Sequence, residues 1–267
     1  MPELPEITNL ARQMRAELVG KTISAIQVLQ SKSLNVPEKD FVAALVGAEV
    51  RDVSARGKWI FVETTRGWLL LCLGMGGEIL LVTRDTLPQK CRLIFDFTDG
   101  TCLSVNFWWF GYAHWTKDLA QHAMTARLGP SALGLGADDL RRMLSGRRGN
   151  LKSFLMDQSK MAGIGNVYVQ DILFRARLHP LRAINTLSDE EIDALACAIG
   201  ESLQTAVDLG GSAWEMDLYG QKGRYDENCL LVGYREGQPC PVCGTAIEKV
   251  RTGSTSNFIC PRCQPLE

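Results

Sequence analysis

Two groups of residues, one near each end of the chain, have types and spacings that could do chemistry. The chain starts Met1-Pro2-Glu3-Leu4-Pro5-Glu6. Initiator methionine is normally trimmed when proline follows, which would leave Pro2 with a free secondary amine. An α-amino group titrates near 7.7–8.0 and a lysine near 10.4, so at pH 7 roughly a tenth of the former is unprotonated against well under a thousandth of the latter. Such an amine, with the Glu3 carboxyl as its immediate neighbour, can attack a sugar carbon and form an iminium, the covalent strategy of Schiff-base lysines.

The second group is Cys240-Pro241-Val242-Cys243 and Cys260-Pro261-Arg262-Cys263, two CxxC knuckles separated by sixteen residues. That spacing places four thiolates tetrahedrally around Zn2+ and predicts a β-hairpin finger too small to fold without its metal. Cys72, Cys91, Cys102, Cys197 and Cys229 sit among apolar neighbours and read as core or inert thiols. His114, His122 and His179 lack metal or triad spacing and are assigned no chemistry.

The elements that must position these groups follow from periodicity. Residues 3–19 read as an amphipathic helix, with Ile7, Leu10, Met14 and Leu18 at three- and four-residue steps. Seven short β-rich runs follow (23–29, 50–54, 59–63, 68–73, 79–82, 93–97 and 102–107), parted by turn signals such as Thr98-Asp99-Gly100, as in an antiparallel sandwich. Leu128-Gly129-Pro130 and the small residues up to Gly136 mark a boundary. Helices are expected at 137–145, 150–157, 167–177 and from Ser188, whose capping box with Glu191 opens a run to about Asp208. The fold class expected is therefore α+β, with an N-terminal β-sandwich domain over 1–130, a helical domain over 131–225 and the finger over 226–267.

A net charge of −1 and a pI near 6.3 do not by themselves suggest a nucleic-acid partner. Distribution says more. Nine basic residues lie between Arg141 and Arg182, opposed within that window only by Asp157 and Asp171, which reads as a phosphate-facing footprint. No apolar run spans a bilayer and the acidic N-terminus has no signal-peptide pattern, so a cytoplasmic location with reduced thiols is expected.

Other motifs are weaker alone. Gly163-Ile164-Gly165-Asn166 between two helices can bare backbone N–H groups as an anion nest, or serve as a plain turn. Lys58 after Arg56-Gly57 stands at a strand mouth, where lysines are usually just solvated. Leu73-Gly74-Met75-Gly76-Gly77 lacks the strand–helix context of a dinucleotide loop. Trp108-Trp109-Phe110-Gly111 reads either as sandwich core or as an aromatic wedge that fills DNA once a base has left the stack.

Taken together, the Pro2–Glu6 start, Leu155-Met156-Asp157-Gln158 through Gly163-Ile164-Gly165-Asn166-Val167-Tyr168, Leu178-His179-Pro180 and the terminal finger resemble the formamidopyrimidine-DNA glycosylase/endonuclease VIII family over nearly the whole chain. The resemblance implies a helix–two-turn–helix domain beside a β-sandwich, with damaged DNA as partner (duplex, or single-stranded and forked) and a monomeric enzyme of the bacterial cytoplasm or nucleoid. It implies Pro2 as nucleophile, Glu3 as general acid/base, and Lys58, Lys152, Gly165 and Asn166 around the phosphates of the extruded nucleotide. Met75 and Phe110 would fill the gap that it leaves. The activity implied is removal of a damaged base followed by strand nicking through elimination, an AP lyase reaction.

Two positions depart from the family. The arginine usual five residues before the third finger cysteine is Thr255, within Gly253-Ser254-Thr255-Ser256-Asn257, and a hydroxyl offers one uncharged hydrogen bond in place of a charged fork. Arg251 is a candidate substitute. The wedge arginine that pairs with the orphaned base is Trp109, whose stacking tolerates any base, so weak selectivity for the opposite base is expected. An alternative reading is a catalytically weak paralogue that binds abasic or distorted DNA. A lid over the base pocket is expected in 212–225, with Trp214, Tyr219 and Arg224 reaching the everted base.

Overall fold

A computed structural model describes residues 1–252 and 255–266; Gly253, Ser254 and Glu267 lie outside them. Packing divides the chain into two compact units, Met1–Arg127 with Leu209–Arg224, and Leu128–Asp208 with Tyr225–Glu267.

The first unit opens with helix α1 (Leu4–Leu18), whose Pro5 sits in the first turn, where its missing N–H costs nothing. The strands are β1 (Ile23–Val28), β2 (Val50–Arg56), β3 (Trp59–Thr64), β4 (Gly67–Cys72), β5 (Glu78–Thr83), β6 (Leu93–Phe97), β7 (Thr101–Asn106) and β8 (Tyr112–Thr116), with a short helix α2 (Glu38–Leu45) after β1. They form two four-stranded sheets, ordered β1-β6-β7-β5 and β2-β3-β4-β8, with every pairing antiparallel. Alternate residues of both sheets meet Ile7, Leu10, Met14 and Leu18 of α1 in one core. Leu218, from the segment after Gly211, is completely buried in that core and its carbonyl accepts the Leu81 N–H at 2.9 Å.

Two elements differ from the sequence reading. Strand β8 follows an aromatic run that ends in Gly111, and its buried residues are Ala113 and His114 in place of the β-branched side chains that mark strands. Helix α2 is only eight residues long and shows its amphipathicity through just Phe41 and Leu45. On β8, His114 lies buried against His122, Nδ1 to Nε2 at 2.8 Å, and His122 meets the Thr125 hydroxyl at 2.8 Å. Burial, with His122 alongside, pushes the His114 imidazole down to about 4, so both rings act as neutral packing groups under Trp59.

In the second unit, α3 (Ala137–Leu144), α4 (Leu151–Met156), α5 (Tyr168–Arg175) and α6 (Asp189–Asp208) precede the hairpin of β9 (Glu248–Thr252) and β10 (Thr255–Ile259). Helix α5 holds the hairpin segment by polar side chains. Gln170 Oε1 accepts the Phe258 N–H at 2.7 Å, and the Asp171 carboxylate accepts three successive N–H groups, Leu231, Val232 and Gly233, at 2.8–3.0 Å. Gln264 closes the other side, donating to Leu178 O at 2.9 Å. Cys197, read from sequence as core or inert, is not core: it is exposed on α6 and faces Glu201.

The basic window between Arg141 and Arg182 is largely neutralised by acids outside it. Arg141 pairs with Asp138, Asp189 and Asp193, Arg142 with Asp139, Arg175 with Glu201 and Arg182 with Glu191, while Lys160 meets Asp157. The sequence window missed these acids because Asp138 and Asp139 sit just outside it, one turn earlier on α3 itself, and α6 supplies the others from 189–201. Arg147, Arg148, Lys152 and Arg177 are left with no ion pair among the described residues.

Candidate active site

Pro2 and Glu3 are buried at the head of α1, Glu3 being only 3 % exposed. What fixes them is Glu6, one helical turn on. Its Oε2 accepts the Glu3 N–H at 2.7 Å and its Oε1 accepts the Ser212 N–H at 2.9 Å. Glu6 therefore ties the N-terminal segment to the chain that returns after α6. Gly211 makes this possible. Its φ of +89° is one that L side chains rarely adopt, and a Cβ there would press on the Glu6 side chain at 3.1 Å. Sequence reasoning missed Glu6, although its spacing of three from Glu3 is that of a capping box.

The terminal amine of Met1 meets Glu215 Oε1 at 3.2 Å. The segment carrying Glu215 is held down on α1, with Gln13 Nε2 donating to Asp217 and Gln13 Oε1 accepting the Leu218 N–H. Tyr219, expected to reach an everted base, instead donates its hydroxyl to Glu17 of α1 at 2.8 Å. Trp214 remains 54 % exposed.

Lys58 occupies the tight turn between β2 and β3, beside Gly57 at φ +61°, instead of opening a strand. Its charge reaches Cys72, whose thiol burial pushes up and which the Gly74 N–H and Lys58 pull back. Just beyond, Met75 and Trp109 pair across a short antiparallel bridge, with the Met75 N–H donating to Trp109 O at 2.8 Å. Gly74 is required there, since a Cβ would lie 2.0 Å from the Trp109 carbonyl. Trp109 and Phe110 are 67 % and 66 % exposed, and Phe110 holds a left-handed φ of +58°. The core alternative for this aromatic run is thus excluded: three consecutive large apolar side chains face solvent, with Lys90 stacked over Trp108.

In the second unit, Lys152, Asn166 and Thr255 form one hydrogen-bonded set. Lys152 Nζ donates to Asn166 Oδ1 at 2.8 Å and to Thr255 Oγ1 at 3.1 Å. Lys152 is 3 % exposed, and burial lowers its ammonium to about 8. The loop before Asn166 is fixed by Gln158, which accepts the Gly163 N–H at 2.9 Å and donates to Ile164 O at 2.8 Å. Gly165 is buried and its carbonyl accepts the Val169 N–H. Tyr234 brings its hydroxyl to 3.5 Å from Asn166 Nδ2, a contact no sequence pattern announced. The cation that reaches Thr255 is therefore Lys152; Arg251 is exposed on β9 opposite Ser256.

Cys240, Cys243, Cys260 and Cys263 bring their four Sγ atoms within 4.8 Å of one another. The resolved pairs stand 3.9, 3.4 and 3.5 Å apart. A regular tetrahedron with Zn–S bonds of 2.3 Å has edges of about 3.8 Å, so the donor set fits zinc in size and in chemistry. All four positions are taken by thiolates, which makes the site structural.

The N-terminal domain of formamidopyrimidine-DNA glycosylase matches residues 1–106, the H2TH domain of formamidopyrimidine-DNA glycosylase matches 128–217, and the zinc finger found in FPG and IleRS matches 237–266. The formamidopyrimidine-DNA glycosylase of Laribacter hongkongensis is 35 % identical over 272 residues, covering 99 % of this chain and 100 % of its own; that of Pelobacter propionicus is 37 % identical with the same coverage. Among solved structures, the Lactococcus lactis Fpg in complex with abasic-site DNA aligns with a TM-score of 0.89 at 28 % identity, over 98 % of this chain and 99 % of that one. Fpg (MutM) of Thermus thermophilus aligns with a TM-score of 0.88 at 29 % identity over the full length of both. This chain belongs to the formamidopyrimidine-DNA glycosylase family.

Proposed function

We propose that this protein excises damaged bases through Pro2 and Glu3 and then nicks the strand. It is a base-excision-repair DNA glycosylase with AP lyase activity, it acts on damaged DNA, and zinc holds its finger. The observation that carries the residue assignment is the buried Glu3, oriented by Glu6 at the head of α1 immediately beside Pro2.

The target nucleotide is first extruded from the stack, which is cheapest for a damaged base. After loss of Met1, the Pro2 nitrogen attacks the anomeric carbon of the deoxyribose. The glycosidic bond breaks and its electron pair leaves with the base, which takes up the proton that the Pro2 nitrogen sheds. Glu3 gives a proton to the ring oxygen as the sugar opens, leaving a C1′ iminium. That cation acidifies C2′; loss of its proton expels the 3′ phosphate by elimination, and water then frees the enzyme. Lys152 and Asn166, held with Thr255, grip the backbone phosphates, as does Lys58. Met75, Trp109 and Phe110 occupy the space the nucleotide vacates. We take residues 1–130, 131–225 and 226–267 as the catalytic, helical DNA-binding and finger domains, with Leu209–Arg224 of the second packed into the first unit. Formamidopyrimidine lesions, present in DNA bound by the Lactococcus lactis relative, are the first substrates to test. No helix among the described residues is long and apolar enough to cross a membrane, and we assign the protein to the bacterial cytoplasm.

Borohydride trapping on abasic-site duplex tests the assignment, after mass spectrometry has verified the N-terminus. The parental enzyme becomes covalently linked to DNA, P2G does not, and E3Q nicks far more slowly. Equal nicking by all three would refute it, and tight binding without trapping would make the protein a recognition module.

A further inference from the structure

The N-terminal nitrogen is met by a carboxylate that the reaction above does not use. Glu215 Oε1 lies 3.2 Å from the Met1 amine, on a side chain only 19 % exposed. Burial raises its carboxyl above the ordinary range, the terminal cation pulls it back, and Glu3 is the neighbouring charge that opposes ionisation. Glu215 is also well placed for a lasting role. Its N–H donates to Ser212 O at 3.3 Å, and the Ser212 N–H is in turn held by Glu6, the residue that orients Glu3. Glu6 thus holds the backbone of Glu3 directly and the segment carrying Glu215 through Ser212.

Loss of Met1 moves the cation by three bonds, at most about 3.7 Å, to the Pro2 nitrogen. It also empties the room that Met1 filled, and the torsions of a glutamate side chain let its carboxylate follow. We propose that Glu215 is the counter-ion of the Pro2 nitrogen, pairing with the ammonium at rest and with the iminium once deoxyribose is attached. The inference rests on Pro2 being the nucleophile.

The chemistry gives this group a distinct task. A lysine Schiff base can shed its proton and become neutral. A proline iminium has no N–H to lose, so the nitrogen stays positive until C2′ gives up its proton or water adds to C1′. No atom is transferred to Glu215 at any stage; it supplies a fixed negative charge in a poorly hydrated site, where charge pairing is stronger than in water. Glu3 cannot do this as well, because it must carry a proton for part of the cycle. Glu3 moves protons and Glu215 holds charge.

The test compares processed parental enzyme with E215Q and E215D on two duplexes, one with a true abasic site and one with its tetrahydrofuran analogue, which cannot form an iminium. The rate of borohydride-trapped adduct should fall roughly 10- to 100-fold in E215Q and recover in large part in E215D. Affinity for the tetrahydrofuran duplex should stay level or tighten in E215Q, since a negative charge near DNA has been removed. Parental trapping with an unaffected E215Q would overturn this proposal alone, as would parallel losses of trapping and tetrahydrofuran binding. A parental enzyme that never traps would overturn the Pro2 assignment and this proposal with it.

Discussion

Replacing Lys152 by methionine should make the free protein more stable and the DNA complex weaker. Lys152 is 3 % exposed and its ammonium is lowered from 10.5 to about 8 by burial. A drop of that size is a penalty of about 3 kcal/mol on the charged form. Methionine has a similar length, needs no hydration, and leaves behind two acceptors, Asn166 Oδ1 and Thr255 Oγ1, in residues that water can reach. Lys152→Met should therefore gain about 1–3 kcal/mol at pH 7. Because the folded value lies below the unfolded one, the unfolded chain holds an extra proton between about pH 8 and 10.5. Parental stability climbs through that window, so the advantage of the variant is full below pH 8 and gone above 10.5. DNA affinity should move the other way, by about 1.5–3 kcal/mol for one charge-assisted contact, with the log–log salt slope shallower by about 0.9. Denaturant titration of both proteins at pH 7 and pH 10, with anisotropy binding at several salt concentrations, measures all of this. A variant that is less stable at pH 7 and binds DNA with the parental salt slope would refute the reasoning.

Glu6→Gln puts an amide NH2 against one of two N–H groups, Glu3 or Ser212; it should cost about 2 kcal/mol of stability and slow single-turnover excision roughly tenfold through misplaced Glu3, with abasic-analogue binding unchanged. Chelating zinc should abolish amide-exchange protection across 237–266 while residues 1–127 keep theirs, and should weaken DNA binding because Thr255 no longer reaches Lys152. Parental enzyme should process one lesion opposite all four bases within about threefold, since stacking on Trp109 reads no base edge, and Trp109→Arg should introduce a preference; a strong parental preference would count against the wedge assignment.

Much of the fold was legible because periodicity reports burial. Ile7, Leu10, Met14 and Leu18 announced α1, and the Ser188–Glu191 capping box marked the start of α6, with Glu191 Oε2 accepting the Ser188 N–H at 2.9 Å. The cysteine spacing carried its own geometry, so the metal site needed no tertiary information. What stayed hidden was set by distant chain meeting chain. Two of the three acids that pair with Arg141 lie 48 and 52 residues away. Glu215 stands more than two hundred residues from the amine it meets, in a segment with neither helical nor strand period. Lys152 of α4 and Thr255 of β10, 103 residues apart, meet only in the folded chain, where α5 also holds β10 through Gln170. Strand β8 was missed for a local reason: its buried residues, Ala113 and His114, are not the β-branched side chains that announce a strand.

The bond from Gln170 to the Phe258 N–H has a consequence for solubility. A lone two-stranded ribbon offers unpaired amides on both flanks, a ready template for a second copy to add a strand. Gln170, itself buried, fills one such amide from α5, so that flank of the ribbon is covered by the helix and offers no template. A change at Gln170, which would look like a minor edit to α5, should therefore show itself first as lost amide-exchange protection in the hairpin, because the Phe258 N–H is left buried without its acceptor.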